Sequence, residues 1–88
     1  MINSIIFEGE NIKIKYKSNK MIKFILEDKL KRHRATICCY NDKYFKLIES
    51  SIGEILIATG EFYETFAMGK NGDWIDSYTI RAKSIKKA

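Results

Sequence analysis

Apolar and polar residues alternate along Ile12-Lys13-Ile14-Lys15-Tyr16-Lys17, and Ile22, Phe24 and Leu26 alternate around Lys23 and Ile25. A period of two puts successive side chains on opposite faces of an extended chain, so both stretches predict half-buried β-strands. Ser18-Asn19-Lys20 between them has turn composition. Residues 34–40 set Ala35, Ile37 and Cys39 against Thr36, Cys38 and Tyr40, which predicts a strand covered on both sides. Residues 27–33 are almost wholly charged and predict an exposed loop or hairpin extension. Asp42 is the expected cap of a short helix over 43–50, where Tyr44, Leu47 and Ile48 fall at helical spacing and Gly53 suits the end. Residues 55–66 predict a long strand bent at Gly60, and residues 74–85 another with Ile80 and Ala82 inward. Residues 67–73 join them and carry Asn71-Gly72, the pair that favours a type I′ hairpin turn. Residues 4–8 extend the first strand across a bend at Gly9, and Phe7, Phe24 and Phe62 are expected in the core.

Strand, strand, strand, short helix, strand, strand is the order of a mainly β, five-stranded OB-fold Greek-key barrel with one short helix between strands 3 and 4. An SH3-like barrel with an inserted helix is the structural alternative. The 88 residues predict a single domain over 1–88. So short a chain buries only about 60–65% of its unfolded surface, which commits nearly every large apolar side chain to the core and disfavours a deep catalytic cleft. No apolar run approaches the ~20 residues of a membrane span, and Met1-Ile2-Asn3-Ser4 does not begin a cleavable signal; a soluble, cytoplasmic protein without a membrane partner is expected. Cys38 and Cys39 would alternate faces in a strand, so they are expected as reduced, buried thiols.

The formal net charge of +5 is unevenly spread. Residues 13–34 hold nine cations against two acids, for +7; residues 35–80 hold three against seven, for −4; residues 81–88 add four cations. Clustered Lys and Arg raise the local potential and suggest an anionic partner. Alternation places Lys13, Lys15 and Lys17 on one face of the first strand, opposite Ile12, Ile14 and Tyr16. They could track phosphates, or protect a strand edge from pairing. Lys29, Lys31, Arg32 and Arg34 form the densest cluster, in the charged loop, and Arg81 and Lys83 lie on the last strand. The abundance of Lys and Ile is also what AT-rich coding would produce. Enzymatic readings find little support. His33 stands alone in a basic loop, Gly69-Lys70-Asn71-Gly72 lacks the rest of a P-loop, and Asp73 and Asp76 have no further ligand cluster beside them. No enzyme activity, metal or cofactor is predicted.

Several segments resemble the bacterial single-stranded-DNA-binding proteins. The chain opens Met1-Ile2-Asn3-Ser4-Ile5-Ile6-Phe7-Glu8-Gly9, its third strand ends Ile37-Cys38-Cys39-Tyr40, a Gly53-Glu54-Ile55-Leu56-Ile57-Ala58-Thr59-Gly60 strand follows the helix, and Arg81-Ala82-Lys83-Ser84-Ile85 is similar to the family's last strand. The resemblance implies an OB fold that binds single-stranded DNA with little sequence preference, accessory to replication or recombination. It ends in basic Lys86-Lys87-Ala88 where the family usually carries a long acidic tail. It therefore resembles the short, tailless members carried by phages, plasmids and staphylococcal cassette elements, and recruitment through an acidic tail is not expected.

In that family an aromatic matching Tyr40 stacks a base. Tyr63 alternates with Phe62, and Phe66 and Trp74 flank the last hairpin, where the family often holds another stacking aromatic. Stacking contributes about 1–3 kcal/mol per base and tolerates any sequence. For each of these aromatics packing within the protein is the competing role. RNA, replication proteins of the same element and further copies of the chain are the other partners this reading leaves open. The alternatives are an RNA-binding OB module and a protein-interaction OB module that binds no nucleic acid.

Overall fold

The computed structural model describes residues 4–30, 32–68 and 74–88, with side chains described over 4–30, 32–62 and 79–88. Five strands close into a barrel in the order β1-β2-β3-β5-β4: β1 (Ile5–Lys17), β2 (Ile22–Asp28), β3 (His33–Cys39), β4 (Ile55–Met68) and β5 (Trp74–Lys87). A 3-10 turn (Asp42–Tyr44) and a short helix α1 (Phe45–Ser50) stand between β3 and β4. All pairings are antiparallel except β3 with β5, which run parallel because the helix and β4 intervene. This is the OB-fold architecture that the order of apolar and turn segments predicted. The charged stretch after Glu27 is the end of a β2–β3 hairpin. The Asn71-Gly72 turn and Lys31 lie outside the described residues.

Closure depends on β1, which pairs with β4 over residues 5–10 and with β2 over residues 10–17. Gly9 sits at this change of partner, where an added Cβ would stand 2.9 Å from the Glu27 backbone. Asn11 follows it, fully buried. Its N–H donates to Glu54 O (2.9 Å), its carbonyl accepts from Gly53 N–H (2.8 Å), and its side-chain Nδ2 donates to Ile48 O (2.9 Å). One residue thus ties the strand to α1 through its side chain and to the loop that leads into β4 through its backbone. Gly53, at φ 89, turns that loop through the left-handed region.

The core joins Ile22, Phe24 and Leu26 of β2, Ile37 and Cys39 of β3, Ile48 of α1, Leu56 and Ala58 of β4, and Ile80 and Ile85 of β5. Tyr44, Phe45 and Leu47 pack the helix against it. Cys38 and Cys39 are both free and buried, and burial pushes the Cys39 thiol above its ordinary range, with its hydrogen bond to Asn41 O opposing.

Three expectations need correction. Asn41, not Asp42, caps the helical segment: its side-chain oxygen accepts the Lys43 N–H at 3.2 Å. Phe62 shares the inward register of Ile80 but is 40% exposed. Finally, two register shifts in β1, between Asn11 and Lys13 and between Ile14 and Tyr16, break the simple alternation. Each bulge adds one residue and turns the next part of the strand to the opposite face. Ile14 pairs with Phe24 and faces the core, whereas Tyr16 pairs with Lys23 and faces out.

β4 has its own irregularity beside Gly60, where an added Cβ would lie 2.0 Å from the Arg81 carbonyl oxygen. That atom is backbone and cannot swing aside. Gly60→Ala is expected to lower the melting temperature by about 5–20 °C, from a strain of roughly 1–3 kcal/mol; a thermal melt followed by circular dichroism measures it, and an unchanged melting temperature refutes the close approach.

Candidate nucleic-acid interface

Strand register assembles the outward face of the β1-β2-β3-β5 sheet. One row runs Tyr16, Lys23, Cys38, Arg81, Glu61, and the next runs Lys13, Ile25, Thr36, Thr79, with Cys38 and Thr79 buried within them. Tyr40 follows β3 on the same face as Cys38, two residues on. Tyr16 is 53% exposed and Tyr40 52% exposed. The Arg81 guanidinium stands 5.6 Å from the centre of the Tyr40 ring, within cation–π range. Packing on one side orients the ring while half of it stays open to solvent. The pair borders an open cleft of about 560 Å³ lined by Asn19, Lys20, Tyr40, Asn41, Asp42, Arg81 and Ala82. Loop β1–β2, the end of β3 and the middle of β5 meet there, and an aromatic surface between two cations suits a base with its flanking phosphates.

The expected lysine stripe is broken up. Lys13 faces out, Lys15 sits in the second bulge, and Lys17 takes the inward register of Ile22 at the barrel mouth, where it pairs with Glu49 of α1. Other expected cations are also paired within the chain: Lys29 with Glu10 (2.9 Å), Arg34 with Glu27 (2.5 Å) and Lys83 with Glu61 (3.1 Å). The Glu10 hydrogen bond and charge hold the Lys29 ammonium's pKa above the ordinary lysine value. Lys13, Lys15, Lys20, Lys23 and Arg32 make no ion pair with a described residue. Four of these five lie in β1, the β1–β2 loop or β2, with Lys20 lining the Tyr40 cleft; Arg32 lies in the β2–β3 turn, in the left-handed region at φ 56. Arg81 belongs with the cleft through Tyr40.

The sequence reading therefore overlooked Tyr16, Lys20, Lys23, Asn19, Asn41 and Asp42. Lys23 was legible, because it alternates with Ile22 and Phe24. Tyr16 was not, because nothing in Ile-Lys-Ile-Lys-Tyr-Lys marks where a bulge falls. Backbone pairing sets Tyr63 opposite Thr79, Phe66 opposite Asp76 and Met68 opposite Trp74; the side chains of Tyr63, Phe66 and Trp74 lie outside the described residues.

A second concavity of about 500 Å³, beside the β2–β3 hairpin, is lined by Glu8, Glu10, Glu27 and Asp28 with Lys29 and His33. Its acids make it the poorer seat for an anion. Among the described residues no group of three or more His, Cys, Asp or Glu could hold a metal ion, and no helix is long and apolar enough to cross a membrane.

Neither a family model nor a curated protein matches this chain. Solved structures do. The chain is similar to the mitochondrial single-stranded-DNA-binding protein of S. cerevisiae, with a TM-score of 0.72 and 9% identity over 97% of this chain and 91% of that one. It is also similar to the Plasmodium falciparum SSB solved in complex with ssDNA, with a TM-score of 0.76 and 15% identity over 100% of this chain and 96% of that one. At these identities the likeness is one of fold, and it agrees with the OB barrel built from the register.

If Tyr16 and Tyr40 serve a surface rather than the core, truncating them leaves the fold nearly intact. Tyr16→Ala and Tyr40→Ala are expected to lower the melting temperature by no more than about 5 °C, against the 3–5 kcal/mol typical of removing a buried ring such as Phe24; losses as large as that of Phe24→Ala would return both tyrosines to a packing role.

Proposed function

We propose that this protein binds single-stranded DNA with little sequence preference through the outward face of β1, β2, β3 and β5. The observation that carries the reading is the half-open Tyr40 ring under Arg81, with Lys20 lining the same cleft and Lys23 and Lys13 on the outward register of β2 and β1, all three unpaired by any described acid. Tyr40 and Tyr16 stack bases, and the lysines meet phosphates as point charges. The fold likeness to two single-stranded-DNA-binding proteins, one solved with its DNA, supports the same substrate. The biological setting proposed is that of an accessory to replication or recombination, encoded by a mobile element and acting in the cytoplasm. Lys29, Arg34 and Lys83 contribute less than their charge suggests, since each would first have to leave a carboxylate.

A homo-oligomer is part of the proposal. Ile6 is 69% exposed and Ile55 51% exposed, on the outward side of β1 and β4, away from the Tyr40 cleft. Light scattering at micromolar concentration is expected to give a multiple of 10.3 kDa; a monomeric mass rejects this part.

Fluorescence anisotropy with labelled oligothymidylate, its RNA counterpart and a duplex tests the main reading. With about four phosphates neutralised by Lys13, Lys20, Lys23 and Arg81, log affinity should fall with log salt at a slope near −3. Lys23→Gln should flatten that slope by about 0.7, and Lys29→Gln should leave it nearly unchanged. Tyr40→Ala should weaken binding by about five- to hundredfold. A salt-independent affinity, or no binding at low salt, sinks the proposal; tighter RNA binding transfers it to the RNA-binding alternative.

A further inference from the structure

Asp42 is out of place in a site built for phosphates. It lines the Tyr40 cleft together with Lys20 and Arg81, and it makes no ion pair with a described residue. Nor is it needed as the helix cap, because Asn41 already accepts the Lys43 N–H through its side-chain oxygen. A carboxylate beside a bound phosphate repels it. The same group beside a stacked base does something else, since two carboxylate oxygens can accept two hydrogen bonds from one donor edge.

Of the four DNA bases, guanine alone offers adjacent donors on its Watson–Crick edge, N1–H and the N2 amine. That edge is free in a single strand. Cytosine and adenine present one amine beside a ring acceptor that faces the carboxylate unfavourably, and thymine presents one N–H between two carbonyls.

We infer that Asp42 makes the Tyr40 cleft a guanine-preferring subsite for single-stranded DNA: the base stacks on Tyr40, its N1–H and N2–H donate to the Asp42 carboxylate, and Lys20 and Arg81 hold the flanking phosphates. The inference rests on the proposed single-stranded-DNA binding and refines it at one position of the strand. The remaining face, with Tyr16, Lys13 and Lys23, stays indifferent to sequence.

The test compares three labelled strands of equal length, about 20 nucleotides: oligothymidylate, the same strand with guanines dispersed singly, and that strand with hypoxanthine at the guanine positions. Hypoxanthine keeps N1–H and lacks the N2 amine. The wild-type protein is expected to bind the guanine strand about fivefold or more tightly than oligothymidylate, the low end for a bidentate contact, with hypoxanthine in between. Asp42→Asn should bring the guanine strand to parity while leaving oligothymidylate binding equal or tighter, because a charge that repels phosphate has gone. A merely structural role for Asp42 would instead weaken both strands together. Equal wild-type affinity for the guanine and thymine strands overturns the inference and leaves the proposed function standing, and so does a guanine preference that survives Asp42→Asn. Failure of every strand to bind at low salt removes the proposed function and the inference with it.

Discussion

The barrel hangs on one strand that changes partners half-way. β1 leaves β4 and takes up β2 at Glu10, and the change is fixed by three hydrogen bonds to Asn11, a fully buried residue. Its backbone N–H and carbonyl and its side-chain Nδ2 are all bonded, so giving up this arrangement would leave buried polar groups without partners, which is costly; the side-chain Oδ1 has none among the described residues. Gly9 lets the backbones approach before it, and Gly53 turns the loop that meets it. With β1 closed in this way, Tyr16, Lys23 and Arg81 fall on one row across the barrel wall. The position of every side chain in the candidate interface follows from that closure.

Charge on this protein divides into two populations. Acids pair off the basic residues at the β2–β3 hairpin and along the far edge of the barrel: Glu10, Glu27, Glu61 and Glu54 hold Lys29, Arg34, Lys83 and Lys87. Exposed pairs of this kind are worth little to stability, but they set which cations are available to a ligand. Lys13, Lys15, Lys20 and Lys23, which make no ion pair with a described residue, fall on β1, β2 and the loop between them. The densest basic run in the sequence is therefore not where the least encumbered charge lies.

Much of the fold was legible in the sequence, because period-two alternation, turn composition and two bending glycines report directly on local backbone geometry. Ile22, Phe24 and Leu26 read as core and are core; Ile80 and Ala82 read as inward and pack there. The helical segment was found, but its cap was misassigned by one residue, since Asn41 and Asp42 are both good caps and sequence alone does not choose between them. The lysine stripe failed for a different reason. Bulges arise where the twist of one strand must match two neighbours, a requirement of the closed barrel that the six residues Ile12 to Lys17 do not encode themselves. Reading Tyr16 onto the face of Ile14, and Lys17 onto the face of Lys13, came from a correct local rule applied across a boundary it does not see. Tyr40 lies just past the end of β3, where no register shift intervenes, so its place in the fold is the one alternation predicts.

Arg81 serves twice. Its carbonyl oxygen presses against Gly60 where β4 bends, and its guanidinium lies over Tyr40 on the outer face. The main chain of this residue belongs to the fold and its side chain to the interface, so neither can shift without the other. Descendants of this sequence are thus not free to explore the two properties separately: a change at position 60 would move the cation above the ring, and drift in ligand affinity and drift in thermal robustness would be inherited as a linked trait.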